Sequence, residues 1–249
     1  MKTILNVMFL LLLSCLPGAL FAQTQATGST RGKAVILTFQ EQEPGTTTYT
    51  TRVIVTARYL RMDQGHDNGD FLLFDRKTGE IQSVNHEDDT VLRIYRHPIK
   101  AKPAIPFKTG VKTERDPKAP SLDGKRPTLV TFTANGTACY HVVAVKGFLD
   151  DARKGMQALK QTLAGEAALN LARRPASMQH ACSLANSIFA AADHLAYGFP
   201  VQEWDNKGYR RSLVDYRRDV PVKPSWFVIS DKLHPYSIHD KAGNFTPVM

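Results

Sequence analysis

Two doublets, Cys139-x-His141 and His180-x-Cys182, bring this 249-residue chain closest to site chemistry. Together they offer the ligands of a Cys₂His₂ zinc shell. The segments that carry them argue otherwise, since residues i and i+2 share a face of a strand but stand about 200° apart on a helix. His180 and Cys182, in a helical stretch, therefore do not converge on one ion. A thiolate at Cys139 with His141 as its base would need a reduced cysteine. The acidic, glycine-rich run from Asp63 to Asp70 misses the spacing of a calcium loop and reads as a turn. No nucleophile elbow, H-E-x-x-H, P-loop or dinucleotide fingerprint is present. The sequence thus assigns no catalytic residue, metal or cofactor. An enzyme built on His141 or the 63–70 loop lacks a converging acid, base and nucleophile.

The chain opens with Lys2, an apolar core over residues 4–13 and small residues up to Ala22, the three parts of a secretory signal. Cleavage is expected after Ala22. The core is about 10 residues, short of the roughly 20 that cross a bilayer, so the mature form is not expected to span a membrane. A lipoprotein acylated at Cys15 is the lesser reading, because Leu13 fits the site poorly. Removing residues 1–22 takes the formal charge from +9 to +8 and leaves two cysteines, Cys139 and Cys182. In an oxidising periplasm these are expected to pair, closing a loop worth about 4 kcal/mol in the chain-entropy model. Export also removes nucleic acid as a partner for the positive charge, and anionic envelope surfaces take its place.

Residues 23–32 form a polar spacer, and one domain is expected over 33–230 with a tail at 231–249. Residues 33–40 read as a strand, and residues 47–63 as one long strand that must curve or bulge. Strands at 71–76, 80–86 and 90–96 complete a meander. Prolines and lysines alternate over 97–127, an excursion that is either a mobile basic lid or a solvated loop, with one strand near 109–115. Asn135-Gly136 between two β-rich runs marks a hairpin. After Gly147 the period changes to that of a helix over 149–173, and a second helix runs from a Ser177 cap to Gly198, the two forming a lid over 149–197. Return strands follow at 201–204, 209–220 and 226–229. Strands, helices, then strands, without βαβ alternation, predict an α+β fold: a curved antiparallel sheet covered by two helices.

The runs YLRMDQGHDNGDFLLFDRKTGEIQSVNHEDDTVLRIYR, ACYHVVAVKGFLDDARKGMQAL and HLAYGFPVQEWDNKGYRRSLVDYRR resemble an uncharacterised family of exported proteobacterial proteins. Their order of elements is similar, more remotely, to the half-barrel lipoprotein carriers LolA and LolB. That resemblance implies an incomplete antiparallel barrel closed by helices, with an apolar cavity for a lipid or other amphiphile. On it, Val53, Val55, Ala57 and Tyr59 of the long strand, with Phe71 and Leu73, are the expected cavity lining, and otherwise they simply pack the helices. Arg210, Arg211, Arg217 and Arg218 form the expected basic surface. Two functions stay open: a periplasmic binder of a hydrophobic or amphiphilic ligand, or an interaction module docking a partner protein or an anionic surface.

Overall fold

The computed structural model describes residues 32–171 and 173–246; the leader, its cleavage point, Cys15 and the spacer through residue 31 lie outside them. The meander runs β1 (Lys33–Gln42), β2 (Tyr49–Val55), β3 (Tyr59–Asp63), β4 (Phe71–Asp75), β5 (Glu80–Asn85) and β6 (Thr90–Ile94). The excursion contributes β7 (Thr109–Glu114), followed by the hairpin β8 (Pro127–Ala134) and β9 (Thr137–Val145). A helical layer comes next, with α1 (Asp150–Leu171) and the four-residue α2 (Ala181–Leu184). The chain returns through β10 (Phe199–Asp205), β11 (Arg210–Pro221) and β12 (His234–Tyr236). All twelve join one open sheet in the order β12-β6-β5-β4-β3-β2-β1-β11-β10-β9-β8-β7. Pairing is antiparallel throughout except where β12 lies parallel to β6. The fold is α+β, as the element order predicts.

Local chemistry explains the hairpins. Asn135 and Gly136 take φ of 51° and 82°, the left-handed pair that a type I′ turn demands. Asn135 also anchors the excursion, accepting from the Lys108 backbone N–H at 2.9 Å and donating to Pro106 O at 2.7 Å. The expected long strand at 47–63 is instead two strands. Thr56 turns the chain, its Oγ1 accepting from the Tyr59 N–H at 2.9 Å, so β2 and β3 pair as a hairpin. No glycine or proline marks this turn, and a threonine hydroxyl takes over the role of one.

α1 buries the row Ala152, Met156, Ala164 and Ala168, spaced by four, together with Leu159. Ala152, Met156 and Leu159 of that face meet Leu37, Phe39, Val53, Val55, Leu60, Phe74, Val145 and Phe199 in the main core, and Ala168 packs instead with Leu171, Leu184 and Ile188. Leu163, which helical spacing also marked as apolar face, is exposed. Asp151 in the first turn ties α1 to the sheet through Arg76 at 2.7 Å. Close contact is set by Gly165, where an added Cβ would lie 2.3 Å from the His97 carbonyl oxygen.

The expected second helix is broken. Residues 176–178 and 193–196 are 3₁₀ turns, Ala185–Phe189 is a π-helical turn, and Ser177 is exposed within the first of them rather than capping a helix. The region is fixed from outside, because the Gln179 side chain bonds Ala104 N–H at 2.9 Å and Arg174 O at 3.0 Å. The expected strand at 226–229 begins as a 3₁₀ turn, Pro224–Phe227. Ordered structure also continues beyond residue 230, with Leu233 and His239 buried and β12 added to the sheet edge.

Candidate binding site

The Thr56 turn decides where the expected lining residues go. Val53 and Val55 face α1 in the main core, whereas Ala57 is exposed in the turn. Tyr59, Phe71 and Leu73 fall on the opposite face, packed with Val84, Val91, Phe227, Ile229 and Leu233. A continuous strand would have kept Val53, Val55, Ala57 and Tyr59 on one side, and the turn resets their alternation. These six residues therefore line no common cavity. Beneath α1, where an acyl chamber was expected, aromatic and aliphatic side chains interlock: Phe148 packs edge-on against Phe199 and Tyr216, and Phe39 stacks near Phe199.

The same face of the sheet carries a buried polar cluster that the sequence reading missed. Glu41, Glu203 and Arg211 occupy inward positions of β1, β10 and β11, paired Glu41 to Arg211 and Glu203 to Arg211 across the ladder. Arg211 lies 3.3 Å from Glu41 Oε1 and 3.6 Å from Glu203 Oε2, with its guanidinium 3.7 Å from the centre of the Phe39 ring. Glu203 Oε1 accepts the Tyr140 hydroxyl at 2.8 Å and sits 3.2 Å from His194 Nε2. Tyr209 donates to Glu41 at 3.2 Å. Burial would raise the Glu203 carboxyl, but His194, Arg211 and Lys160 outweigh it and hold the group well below the carboxylate range. Burial and then Glu203 push the Tyr140 phenol well up. Lys160, from α1, is held below the usual lysine value by burial.

A legible signal existed for three of these residues. Glu41 is two residues beyond Phe39 in the alternation of β1. Lys160 occupies the missing step of the Ala152, Met156, Ala164 row. Arg211 was placed on a basic surface with Arg210, Arg217 and Arg218, yet neighbouring strand residues alternate, so one of Arg210 and Arg211 had to point inward. Arg210, Arg217 and Arg218 are exposed as expected, and Arg218 pairs with Asp123 at 2.8 Å.

Two hollows flank the irregular segment 185–194. One is a cavity of about 60 Å³ between that segment and β7–β9, lined by Tyr140, Lys160, His194, Asn186, Thr109 and Thr133 among others. The other is an open cleft of about 570 Å³ between the segment, α1 and the chain after β6. Its walls include Ile99, Ala164, Ile188, Phe189 and Ala192, with Arg96, His97, Gln161 and Asp193 supplying polar groups. His97 Nε2 is buried there without a hydrogen-bond partner in the described residues. Ala191 and Asp193 form a wall common to both hollows.

The remaining motifs have structural roles. Cys139 and Cys182 are joined in a disulfide that ties β9 to α2. His141 stacks on Trp204 at 5.1 Å and contacts Thr131 at 3.1 Å, and His180 is exposed at the start of α2. In the 63–70 loop, Asp63 is held by Arg61 at 2.6 Å and Arg52 at 2.8 Å, and Asp67 by Arg52 and Lys223. Arg61, fully buried, donates on to Trp226 O at 2.7 Å and locks the C-terminal segment to the back of the sheet. Among the described residues no helix is long and apolar enough to cross a membrane.

No family model matches the chain, and no curated protein matches it. Among solved structures it is similar to an uncharacterized conserved protein from Thermus thermophilus, at 11% identity and TM-score 0.41, covering 82% of this chain and 90% of that one. It is also similar to PNGF-II in its C2 and P21 crystal forms, at 7% and 9% identity and TM-scores 0.40 and 0.38. The chain spans 31% of PNGF-II. At such values neither likeness carries an argument about function.

Proposed function

We propose that the protein is a non-enzymatic periplasmic protein that binds a hydrophobic or amphiphilic, lipid-like ligand. The ligand lies in the open cleft beside α1. What supports this reading is the cleft itself: its 570 Å³ falls within the usual range of small-molecule sites, and its apolar walls end at polar groups suited to a head group. Arg96 supplies a charge, and Gln161 and Asp193 supply polar groups. The half-barrel resemblance points to the same ligand class, but the site moves from the sheet–helix interior to the cleft between α1, the 185–194 segment and the chain after β6. The test is titration with a dansyl-labelled fatty acid. Gln161, an exposed residue at the cleft, is changed to Trp to fill it without disturbing the core. Saturable binding that weakens about tenfold or more, on the order of 1.4 kcal/mol, supports the reading. No binding, or equal binding by both proteins, contradicts it.

A second reading rests on β7. Its residues are almost all exposed, Val111 included, and it forms the sheet edge with Lys108, Lys112 and Arg115 around it. An edge of this kind can dock a partner's extended strand or an anionic surface. Salt-sensitive binding to vesicles containing phosphatidylglycerol, with the cleft probe unbound, would favour it.

A further inference from the structure

The buried polar cluster holds donors that lie near carboxylates but lack an aligned acceptor. Its two carboxylates are already engaged, Glu203 by Tyr140, His194 and Arg211, and Glu41 by Tyr209 and Arg211. Beyond these contacts, Arg211 Nη2 and His194 Nε2 are buried without an aligned hydrogen-bond partner. Lys160, half-buried on α1, has no carboxylate within 4.0 Å among the described residues. Lys160 and His194 both line the 60 Å³ cavity, and His194 is 3% exposed. Thr109, Thr133 and Asn186 also line the cavity, the Asn186 amide donating to Cys139 O at 3.3 Å.

We propose that this cavity is a binding site for a small oxyanion, held by the Lys160 ammonium with His194 and the flanking hydroxyl and amide groups. Its size sets the class. A volume of about 60 Å³ is roughly the share of two water molecules in the liquid, enough for an anion the size of formate or acetate and too small for an acyl chain. Lys160 is also the cation of the cluster with no carboxylate within 4.0 Å among the described residues, so an anion in the cavity would meet a positive group that Glu41 and Glu203 reach only at longer range. This site is separate from the ligand cleft, and neither depends on the other.

Calorimetric titration at constant ionic strength, with chloride as the reference salt, tests the proposal using sodium formate, acetate and phosphate on wild type, Lys160→Arg and Lys160→Met. Expected is saturable binding of at least one oxyanion to wild type, retention by Lys160→Arg, and a loss of about tenfold or more in Lys160→Met. Binding of the carboxylates alone would identify a short organic acid, and binding of phosphate alone an inorganic ion; both support the site. Because Lys160→Met also changes the packing of α1, the wild-type protein is followed by NMR after ¹³C-methylation of its lysines, where the Lys160 signal should move and saturate with the anion. A linear response equal to that of chloride, or a Lys160 signal that does not move, would show a cavity holding water only and overturn the proposal. The dansyl probe of the cleft reports separately, so failure of one site leaves the other readable.

Discussion

Glu203 joins more of the polar interior than any neighbouring side chain, meeting Tyr140, His194 and Arg211 while itself 2% exposed. Removing its charge leaves Arg211 in a dry interior with only Glu41 to answer it, and breaking a buried pair in this way costs about 3 to 5 kcal/mol. We expect Glu203→Gln to lose that much in urea unfolding at pH 7. The pH dependence has a definite sign. A carboxyl whose folded pKa is depressed contributes stability that is complete above its unfolded value, about 4.3, and is lost as pH falls toward the folded value. Between pH 5 and pH 2 the wild-type urea midpoint should therefore fall more steeply than that of Glu203→Gln. Parallel slopes would mean that Glu203 is not held ionised by its neighbours. None of this cluster was read from the sequence, although alternation along β1 and β11 and the four-residue row on α1 each held one member. A single charged residue in an apolar pattern looks like an interruption, and only its partner on another strand shows that it is paired.

At the scale of elements, close approach and cross-linking hold the helical layer in place. Gly155 and Gly165 both sit on the buried side of α1, but an added Cβ would have ordinary contacts at 3.5 Å at the first and a backbone oxygen at 2.3 Å at the second. Gly155→Ala should stabilise by about 0.5 to 1 kcal/mol through helix propensity. Gly165→Ala should destabilise by about 1 to 3 kcal/mol as α1 is forced off the chain at His97. Thermal unfolding of the two variants checks both signs together. The Cys139–Cys182 bridge closes a separation of 43 residues, for which chain entropy gives about 4 kcal/mol. Neither cysteine should react with a thiol reagent before reductant is added, and the Cys139→Ala, Cys182→Ala double variant should unfold earlier in urea by an amount of that order.

The hairpin at Asn135-Gly136, the meander, α1 and the disulfide were all legible in the sequence because each has a local mark: a left-handed turn pair, alternation, a helical row, or two thiols outside the expected leader. The Thr56 turn had no such mark, and missing it misplaced Ala57, Tyr59, Phe71 and Leu73, while Val53 and Val55 do face α1. The broken second element also escaped, since its alanine-rich spacing is helical while tertiary bonds from Gln179 and the disulfide decide its shape.

For the whole molecule, these corrections move the proposed binding site. A packed aromatic core fills the space beneath α1, and the proposed site is the open cleft between α1, the 185–194 segment and the chain after β6. Arg210, Arg217 and Arg218 are exposed, whereas Arg211 is committed to the interior, so on the proposed function the exposed three would serve the approach of an anionic ligand. Raising salt should slow capture of an anionic probe more than that of a neutral one, measured by stopped-flow mixing. The sharpest test of the proposed function is mass spectrometry of organic extracts from wild type and Gln161→Trp purified out of the native envelope. Expected is a lipid or other amphiphile in wild type at near one per protein, depleted in the variant. Extracts from both that match an unrelated control domain would overturn the assignment of the cleft.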